Sequence, residues 1–163
     1  MKLNKDQVGE LWDEITPKLY GYLFNTLHDW SVADDILQTS WLKAIEALPN
    51  FKERNGGFSA WIFSIARNEM RMYWRKNNRQ VEFDYNLHDI SFKDEINEEM
   101  QFVEQLIKKL EKEDRELIRL RYIADLSFKD MTKILNINQV TLRVKIHRAL
   151  GHARSIIKTQ MYE

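Results

Sequence analysis

One stretch, residues 58–79, constrains the fold more than any other because two kinds of side chain repeat in it at helical spacing. Its apolar residues recur with a period of 3.6, which predicts one helix with a buried face. They are Phe58, Trp61, Ile62, Ile65, Ala66, Met70 and Tyr73. Its arginines recur every four residues and form a basic stripe about 18 Å long at about 1.5 Å per residue. They are Arg67, Arg71, Arg75 and Arg79.

Arginines and aromatic rings on one helix suit a nucleic-acid strand. The forked guanidinium group matches phosphate oxygens. Trp61, Tyr73 and Trp74 offer flat rings on which unpaired bases stack. An ordinary amphipathic helix with a solvated basic face has the same pattern, so this helix alone leaves both interpretations open.

The composition favours helices throughout. The 163 residues include only five Gly and two Pro, and 44% are hydrophobic, which is enough for packed cores. The absence of Cys excludes a disulfide framework and a thiolate metal site, and it fits a reducing cytoplasm. The N-terminal region has acidic residues and no long apolar run, so we expect neither a signal peptide nor a membrane span.

A net charge of zero conceals four blocks of alternating sign. Residues 51–81 hold seven basic and two acidic residues, and residues 117–163 hold nine basic and three acidic ones. Residues 1–50 hold four basic and eight acidic residues, and residues 82–116 hold five basic and twelve acidic residues. Two basic blocks separated by an acidic one predict two binding surfaces and a linker.

Helical spacing recurs before the stripe. Residues 5–28 are predicted to form one helix or two, with Pro17 near a break because proline costs about 3 kcal/mol inside a helix. Asp29 or Ser31 is expected to cap a second helix that runs from Val32 to about Leu48. On that helix, Gln38 and an exposed part of Trp41 suggest a partner surface.

A polar loop over residues 47–57 joins the second helix to the stripe. Its one aromatic residue, Phe51, either plugs the core or stacks on a base. After the stripe, residues 79–94 show no period and are predicted to be a linker. Helical patterns return over residues 95–110 and 114–124.

Two short helices with a tight turn between them follow. Ser127 is expected to cap a helix over residues 128–135, and Asn136 is able to take the positive φ of a turn. A basic helix begins at Gln139. This is the helix-turn-helix pattern, whose second helix fits the major groove of DNA. Helical hairpins in other bundles share it, so the pattern alone is only moderately specific.

Both halves of the chain resemble the bacterial extracytoplasmic-function, or group IV, RNA polymerase sigma factors. Residues 33–38 and 41–44 resemble the core-polymerase-binding helix of that family. Phe51 and residues 58–68 resemble its promoter −10 segment very closely, and residues 117–149 resemble its −35-binding domain. The chain departs from the usual residues at several positions, which makes its promoter sequence hard to infer. The departures are at 110–111, near 72, at 130–132 and at 140–142.

The resemblance implies an all-α fold of two small helical domains. A region 2 helical bundle is expected over residues 1–80, and a region 4 helix-turn-helix domain over residues 99–163. An acidic linker over residues 81–98 joins them. In this family the linker threads toward the polymerase active-site channel, and a simple solvating tether is the equally favoured alternative.

The family's residue roles carry over by position. Core-polymerase binding is expected of Asp34, Asp35, Gln38 and Trp41. Binding and melting of −10 DNA is expected of Lys43, Ala47, Leu48, Asn50, Phe51, Trp61, Arg67, Asn68, Arg71 and Arg75. Binding of −35 DNA is expected of Gln139, Thr141, Arg143, Lys145 and Arg148. The implied function needs no cofactor, metal or catalytic residue.

The resemblance also implies the partners. They are core RNA polymerase, promoter DNA and an anti-sigma factor, in the cytoplasm and without membrane insertion. The alternative is a stand-alone helix-turn-helix transcriptional regulator, which would leave the pairing of Gln38 with residues 61–68 without a role. An enzyme has no support in the sequence, which lacks a Gly-rich phosphate loop and a paired-histidine metal motif.

Overall fold

The computed structural model describes residues 3–53, 57–77 and 98–162. All regular secondary structure in these ranges is helical, which confirms the predicted fold class. The α-helices are α1 (Lys5–Leu27), α2 (Trp30–Ala47), α3 (Phe58–Asn77), α4 (Glu98–Lys109), α5 (Lys112–Ile118), α6 (Phe128–Leu135) and α7 (Gln139–Met161). A 3₁₀ turn (Leu48–Asn50) follows α2, and a π-helical turn (Arg119–Ile123) follows α5.

Part of the predicted pattern lies outside the described residues. Arg79, at the end of the stripe, is one such residue. The predicted linker over residues 81–98 also lies outside the described residues, apart from Glu98, which begins α4.

Polar side chains mark where the helices begin. Asp29 caps α2, with its Oδ1 accepting the Val32 N–H at 3.0 Å, so the first of the two predicted caps is confirmed. Ser127 caps α6 as predicted. Each cap satisfies a backbone donor that the first helical turn leaves unpaired.

The predicted break at Pro17 is wrong, because α1 continues through it from Lys5 to Leu27. The missing N–H and the ring clash of an internal proline cost about 3 kcal/mol. The helix also buries a long apolar face, which includes Ile15, Leu19 and Leu23. Full burial of each such side chain contributes about 1.5–3 kcal/mol, and this outweighs the cost of the proline.

The first helical unit, α1 to α3, has α2 packed against both of its neighbours. Its centre is aromatic. The rings of Tyr22 and Phe63 lie 5.6 Å apart, and Trp41 lies 5.6 Å from Phe58. These four side chains are almost completely buried, and they hold α3 at a fixed position against α1 and α2.

The second helical unit, α4 to α7, is built around the contact of α7 with α4, α5 and α6. Leu120, Met131 and Leu142 are fully buried at its centre. Asn136, which ends α6, has φ of 54° and thereby makes the predicted tight turn into α7. The turn sets the two helices of the helix-turn-helix pattern against each other.

The two units pack directly against each other. Helix α3 contacts α6, and α1 contacts the π-helical turn. At the second contact a Cβ added to Gly21 would lie 3.8 Å from Ile123 Cγ2. Buried side chains of both units therefore form one continuous hydrophobic cluster.

Candidate nucleic-acid interface

The arginine stripe of α3 is divided between two environments. Arg71 and Arg75 are exposed, as a phosphate-binding role requires. Arg67 lies one turn earlier, and its side chain keeps only 16% of its exposure. Its Nε donates to Glu116 Oε1 at 2.9 Å, and its guanidinium also donates to the Ile134 carbonyl at 3.1 Å.

A cavity of about 420 Å³ opens beside the stripe, where the 3₁₀ turn meets α3. Its lining includes Ala47, Asn50, Phe51 and Trp61, four of the residues predicted to bind −10 DNA. Leu48, also predicted, does not line it. A volume of this size falls within the usual range of small-ligand pockets, about 300–1,000 Å³.

Phe51 and Trp61 form the aromatic part of the cavity. Their rings are stacked, with centroids 4.6 Å apart and an interplanar angle of 29°. Phe51 also meets the buried ring of Phe58 edge-on at 5.7 Å. Both sequence-based interpretations of Phe51 are therefore physically compatible, because it packs on the core and also lines an open cavity.

Four further lining residues, among them Ala60 of α3, were not among the predicted ones. Lys52 and Ser64 flank the aromatic residues, and Lys133 comes from α6 of the second unit. The sequence contained a signal for Lys52, which is a basic residue next to Phe51. It contained no signal for Lys133, because only the packing of α6 on α3 brings that residue to the cavity.

Lys43 and Asn68, the remaining residues predicted for −10 DNA, lie on α2 and α3. Lys43 Nζ donates to the carboxylate of Glu69, which connects the two helices. The side chain of Lys43 keeps 46% of its exposure, so it remains accessible to a phosphate. Asn68 is exposed, and its amide contacts only Met72 Sδ of its own helix at 3.7 Å.

The residues predicted to bind core polymerase do not share one environment. Asp35 and Gln38 are exposed on α2, and the Gln38 amide donates to Asp34 Oδ2 at 2.8 Å. The expected exposure of Trp41 is wrong, because this ring is only 1% exposed. The ring lies between Trp12, 4.7 Å away, and Phe58, so the whole ring packs against hydrophobic neighbours.

The N-terminal half of α7 faces outward. Gln139, Arg143 and Arg148 are exposed, and Thr141 is half-buried. The Arg143 guanidinium lies 5.7 Å from the centroid of the Phe128 ring. Lys145 is paired with Glu113 of α5, so of the predicted −35 residues it is the one held by an ion pair.

Val140 and Val144 also lie on this surface, 75% and 45% exposed. Neither valine was among the residues predicted to bind −35 DNA. An exposed valine beside basic side chains is able to contact a thymine methyl group in the major groove. The apolar character of Val140 and Val144 did not predict such a contact, because valine side chains also suit a hydrophobic core.

Glu116 forms a contact with the arginine stripe that sequence reasoning missed. Its Oε1 accepts both the Arg67 Nε–H at 2.9 Å and the Tyr22 hydroxyl at 2.7 Å. Burial, and next the Glu116 charge, raises the pKa of Tyr22 well above its ordinary value, so the phenol stays protonated and donates. Three residues from distant parts of the chain thus form one contact, here called the Glu116 contact (Tyr22, Arg67, Glu116).

Comparison with known families identifies both halves. The family model for Sigma-70 region 2 matches residues 11–80, and the model for Sigma-70, region 4 matches residues 103–152. The chain belongs to the sigma-70 family. It is an RNA polymerase sigma factor, and a stand-alone helix-turn-helix regulator is not favoured because the first match would then have no role.

Curated relatives place this sigma factor with the extracytoplasmic-function type. It is 23% identical to the ECF sigma factor SigM of Bacillus subtilis, over 91% of this chain and 94% of SigM. Sigma factor SigZ of the same organism is 25% identical, over 93% of this chain and 87% of SigZ. The chain also matches BldN of Streptomyces coelicolor at 22% identity, but it spans only 58% of the length of BldN.

Two solved structures share the fold of this sigma factor. CnrH, solved in complex with the cytosolic domain of CnrY, superposes with a TM-score of 0.72 over 96% of this chain and 90% of CnrH. RpoE of Bartonella quintana, solved with the anti-sigma factor NepR, superposes with a TM-score of 0.71 over 95% of this chain and 98% of RpoE. Both proteins are 23% identical in sequence to this chain, so the similarity shows a shared fold only.

Two negative findings concern the described part of the sigma factor. None of its helices is long and apolar enough to cross a membrane. Among residues 3–53, 57–77 and 98–162, no cluster of three or more His, Asp and Glu side chains is arranged to hold a metal ion.

Proposed function

We propose that this chain is a group IV sigma factor that binds core RNA polymerase, recognises −10 and −35 promoter elements and nucleates promoter melting. One observation carries the proposal. The aromatic cavity at Phe51 and Trp61 opens beside a helix whose Arg71 and Arg75 are exposed. A strand that places a base in the cavity can run its phosphates along that helix.

Melting then proceeds by strand capture, with no bond broken. Extruding a base from the duplex costs a few kcal/mol. Stacking on an aromatic ring returns about 1–3 kcal/mol per base, and phosphate contacts to Arg71 and Arg75 add to it. Lys43 and Asn68, exposed at the neighbouring edge of α2 and α3, are placed to contact the upstream edge of the bubble.

Recognition of the −35 element is assigned to the outward surface of α7. Arg143 is our candidate for direct contact with a base edge, since arginine binds guanine O6 and N7 in the major groove. Gln139, Thr141 and Arg148 surround it and offer further donors. The assigned domains are residues 1–80 for −10 DNA and core polymerase and residues 99–163 for −35 DNA, joined by the acidic segment 81–98.

Core polymerase is proposed to bind the exposed side of α2 at Asp34, Asp35 and Gln38. Trp41 supports this surface from beneath, because its buried ring fixes α2 against α1 and α3. The chain acts in the cytoplasm through binding energy and has no catalytic residue of its own. An anti-sigma factor is a proposed partner, supported by the complex in which the related fold of RpoE was solved.

Transcription in vitro tests the proposal. The purified chain is mixed with core RNA polymerase and a library of promoter fragments from its own genome, and transcript start sites are mapped. We expect specific transcripts, and permanganate-reactive thymines next to their start sites. A chain that binds duplex DNA tightly alone, and neither binds core polymerase nor directs a transcript, would instead be a stand-alone regulator.

A further inference from the structure

The outward surface of α7 has an apolar centre. At about 100° per residue, Val140 and Val144 point to the side of the helix opposite its buried residues. The buried side includes Leu142 and Ile146, which belong to the hydrophobic core. The two exposed valines therefore form an apolar strip one helical turn long, here called the valine ridge (Val140, Val144).

Folding of the chain gives no reason for valine in the ridge. An exposed side chain removes little apolar area from water, so it adds little to hydrophobic stabilisation. A β-branched residue also lowers helix propensity relative to alanine, because the preceding turn restricts its χ1 rotamers. The valine ridge therefore slightly destabilises the helix of the free chain, which points to a role for the ridge in a complex.

Basic side chains lie on both sides of the ridge. Arg143 and Arg148 are exposed and lie about 60° and 80° around the helix from Val140, in opposite directions. The Arg143 guanidinium is held to one side by the Phe128 ring, 5.7 Å from its centroid, so it does not cover the valines. A surface with cations at its edges and methyl groups at its centre is complementary to a DNA groove, in which phosphates border the base edges.

The major groove offers one apolar group that suits such a ridge. Every base presents hydrogen-bond donors or acceptors there, but only thymine presents a C5-methyl group. A valine pressed against a donor or acceptor removes that group from water without a replacement hydrogen bond, which is unfavourable. Valines at the centre of the helix surface therefore favour thymine by contact with its methyl group and disfavour the other bases by desolvation.

We propose that the valine ridge reads thymine methyl groups in the −35 element. This inference rests on the proposed function, because it names the base that the −35 surface selects. Val140 and Val144 are about 6 Å apart along the helix axis, close to two steps of about 3.4 Å between bases of one strand. The −35 element should carry at least one thymine within about two base pairs of the guanine that Arg143 contacts.

Selection of duplex DNA supplies the probes for the test. Duplexes of random sequence are enriched on the full chain alone and on its complex with core RNA polymerase. Each thymine of the enriched site is then replaced in turn by deoxyuridine, which lacks the C5-methyl group and keeps the base pair. We expect one or two positions at which this change weakens binding of the parent about fourfold, the effect of losing one methyl group from an apolar contact.

Val140→Ala and Val144→Ala identify the valine that reads each methyl group. For each sensitive position, one of the two variants should bind the thymine and deoxyuridine duplexes equally well. Alanine is the better helix former, so neither variant should lower the midpoint of thermal unfolding, as loss of a structural side chain would.

Val103→Ala on α4 is the matched control. It makes the same chemical change at a side chain that is 46% exposed, against 45% for Val144. This variant should keep the parent's preference for the methylated base. A preference that falls in Val103→Ala as much as in the ridge variants would overturn the inference, since the effect would then not be specific to α7.

The remaining outcomes separate this inference from the proposed function. Sequence-specific binding that deoxyuridine weakens at no position, or a deoxyuridine effect that persists in both ridge variants, overturns thymine readout and leaves the sigma function intact. Weaker core-polymerase binding by the ridge variants, with DNA binding unchanged, assigns the ridge to a protein contact and overturns thymine readout as well.

Failure of the proposed function has a different signature. Enrichment of duplexes by the chain alone, without core-polymerase binding or transcripts, refutes the sigma function, while the deoxyuridine comparison still decides which groups α7 reads. Absence of any enriched duplex in both forms overturns the two proposals together.

Discussion

The two basic helices, α3 and α7, differ in how much of their surface the rest of the chain leaves open. On α7, Arg143 and Arg148 point into solvent beside an exposed Val140. On α3, Arg67 is paired with Glu116 of the other unit, and of the described stripe only Arg71 and Arg75 are exposed. The comparison teaches that equal basic character in sequence does not mean equal availability to DNA.

The physical difference lies in which neighbour each helix has. Helix α7 packs against α4, α5 and α6, all of its own unit. Helix α3 packs against α2 on one side and against α6 on another, so its basic surface is shared with a protein contact. We therefore expect changes on α7 to act on DNA binding alone, and changes on α3 to depend on how the units are arranged.

The largest effect is expected from Arg71→Ala combined with Arg75→Ala. Each change removes a charged donor to phosphate worth about 1.5–3 kcal/mol, so the double variant should form open complexes at least about 100-fold less. Permanganate reactivity on a mapped promoter measures this. Binding to core polymerase should change little, and an equal loss in both assays would mean that α3 is not a dedicated DNA surface.

Arg143→Ala should cost about 1–3 kcal/mol, or roughly tenfold, in binding of the −35 duplex. The loss should disappear on a template with a preformed bubble and no −35 element, because α7 then has nothing to contact. Arg154→Ala, an exposed arginine farther along the same helix, is the control. A defect of Arg143→Ala on the bubble template would show that α7 also serves melting.

Tyr22→Phe tests the contact between the units through its pH dependence. Loss of the hydrogen bond to Glu116 should cost about 1 kcal/mol of unfolding free energy near pH 7. The raised pKa means that the folded chain keeps the phenol proton above pH 10 while the unfolded chain releases it. Stability of the parent should therefore fall above pH 10, by up to about 1.4 kcal/mol per pH unit from this group.

Phenylalanine does not ionise, so the cost of Tyr22→Phe should shrink as the pH rises past 10. Urea unfolding followed by circular dichroism, at pH 7 and at successive values above 10, measures the difference. Tyr162→Phe, at an exposed residue, is the control. A cost that stays constant across this range would mean that the Tyr22 proton does not distinguish the folded from the unfolded chain.

The smallest effect is expected from Gln38→Ala, which removes one exposed amide from α2. A single uncharged hydrogen bond is worth about 0.5–1.5 kcal/mol, so core-polymerase binding should weaken about threefold to tenfold. Melting by the fully bound factor should be unchanged. Thr39→Ala, which alters the neighbouring half-buried side chain, is the control, and equal effects of both variants would place the polymerase contact elsewhere.

Local features of this protein were predictable because they depend on residues close in sequence. The helical periods, the caps at Asp29 and Ser127 and the positive φ of Asn136 each involve neighbours within a few residues. The same holds for the stacked pair of Phe51 and Trp61, which belong to one loop and the helix that follows it. Pro17 was the exception, since packing of α1 outweighed a local penalty.

Residues close in sequence were therefore sufficient to predict an all-α chain, the caps of α2 and α6 and two basic helices. Packing between residues distant in sequence buries Trp41, brings Lys133 to the cavity and pairs Arg67 with Glu116. Arg67 and Glu116 are 49 residues apart, and no local period relates them. Their pairing depends on burial and charge at a surface that exists only once the two units have packed together.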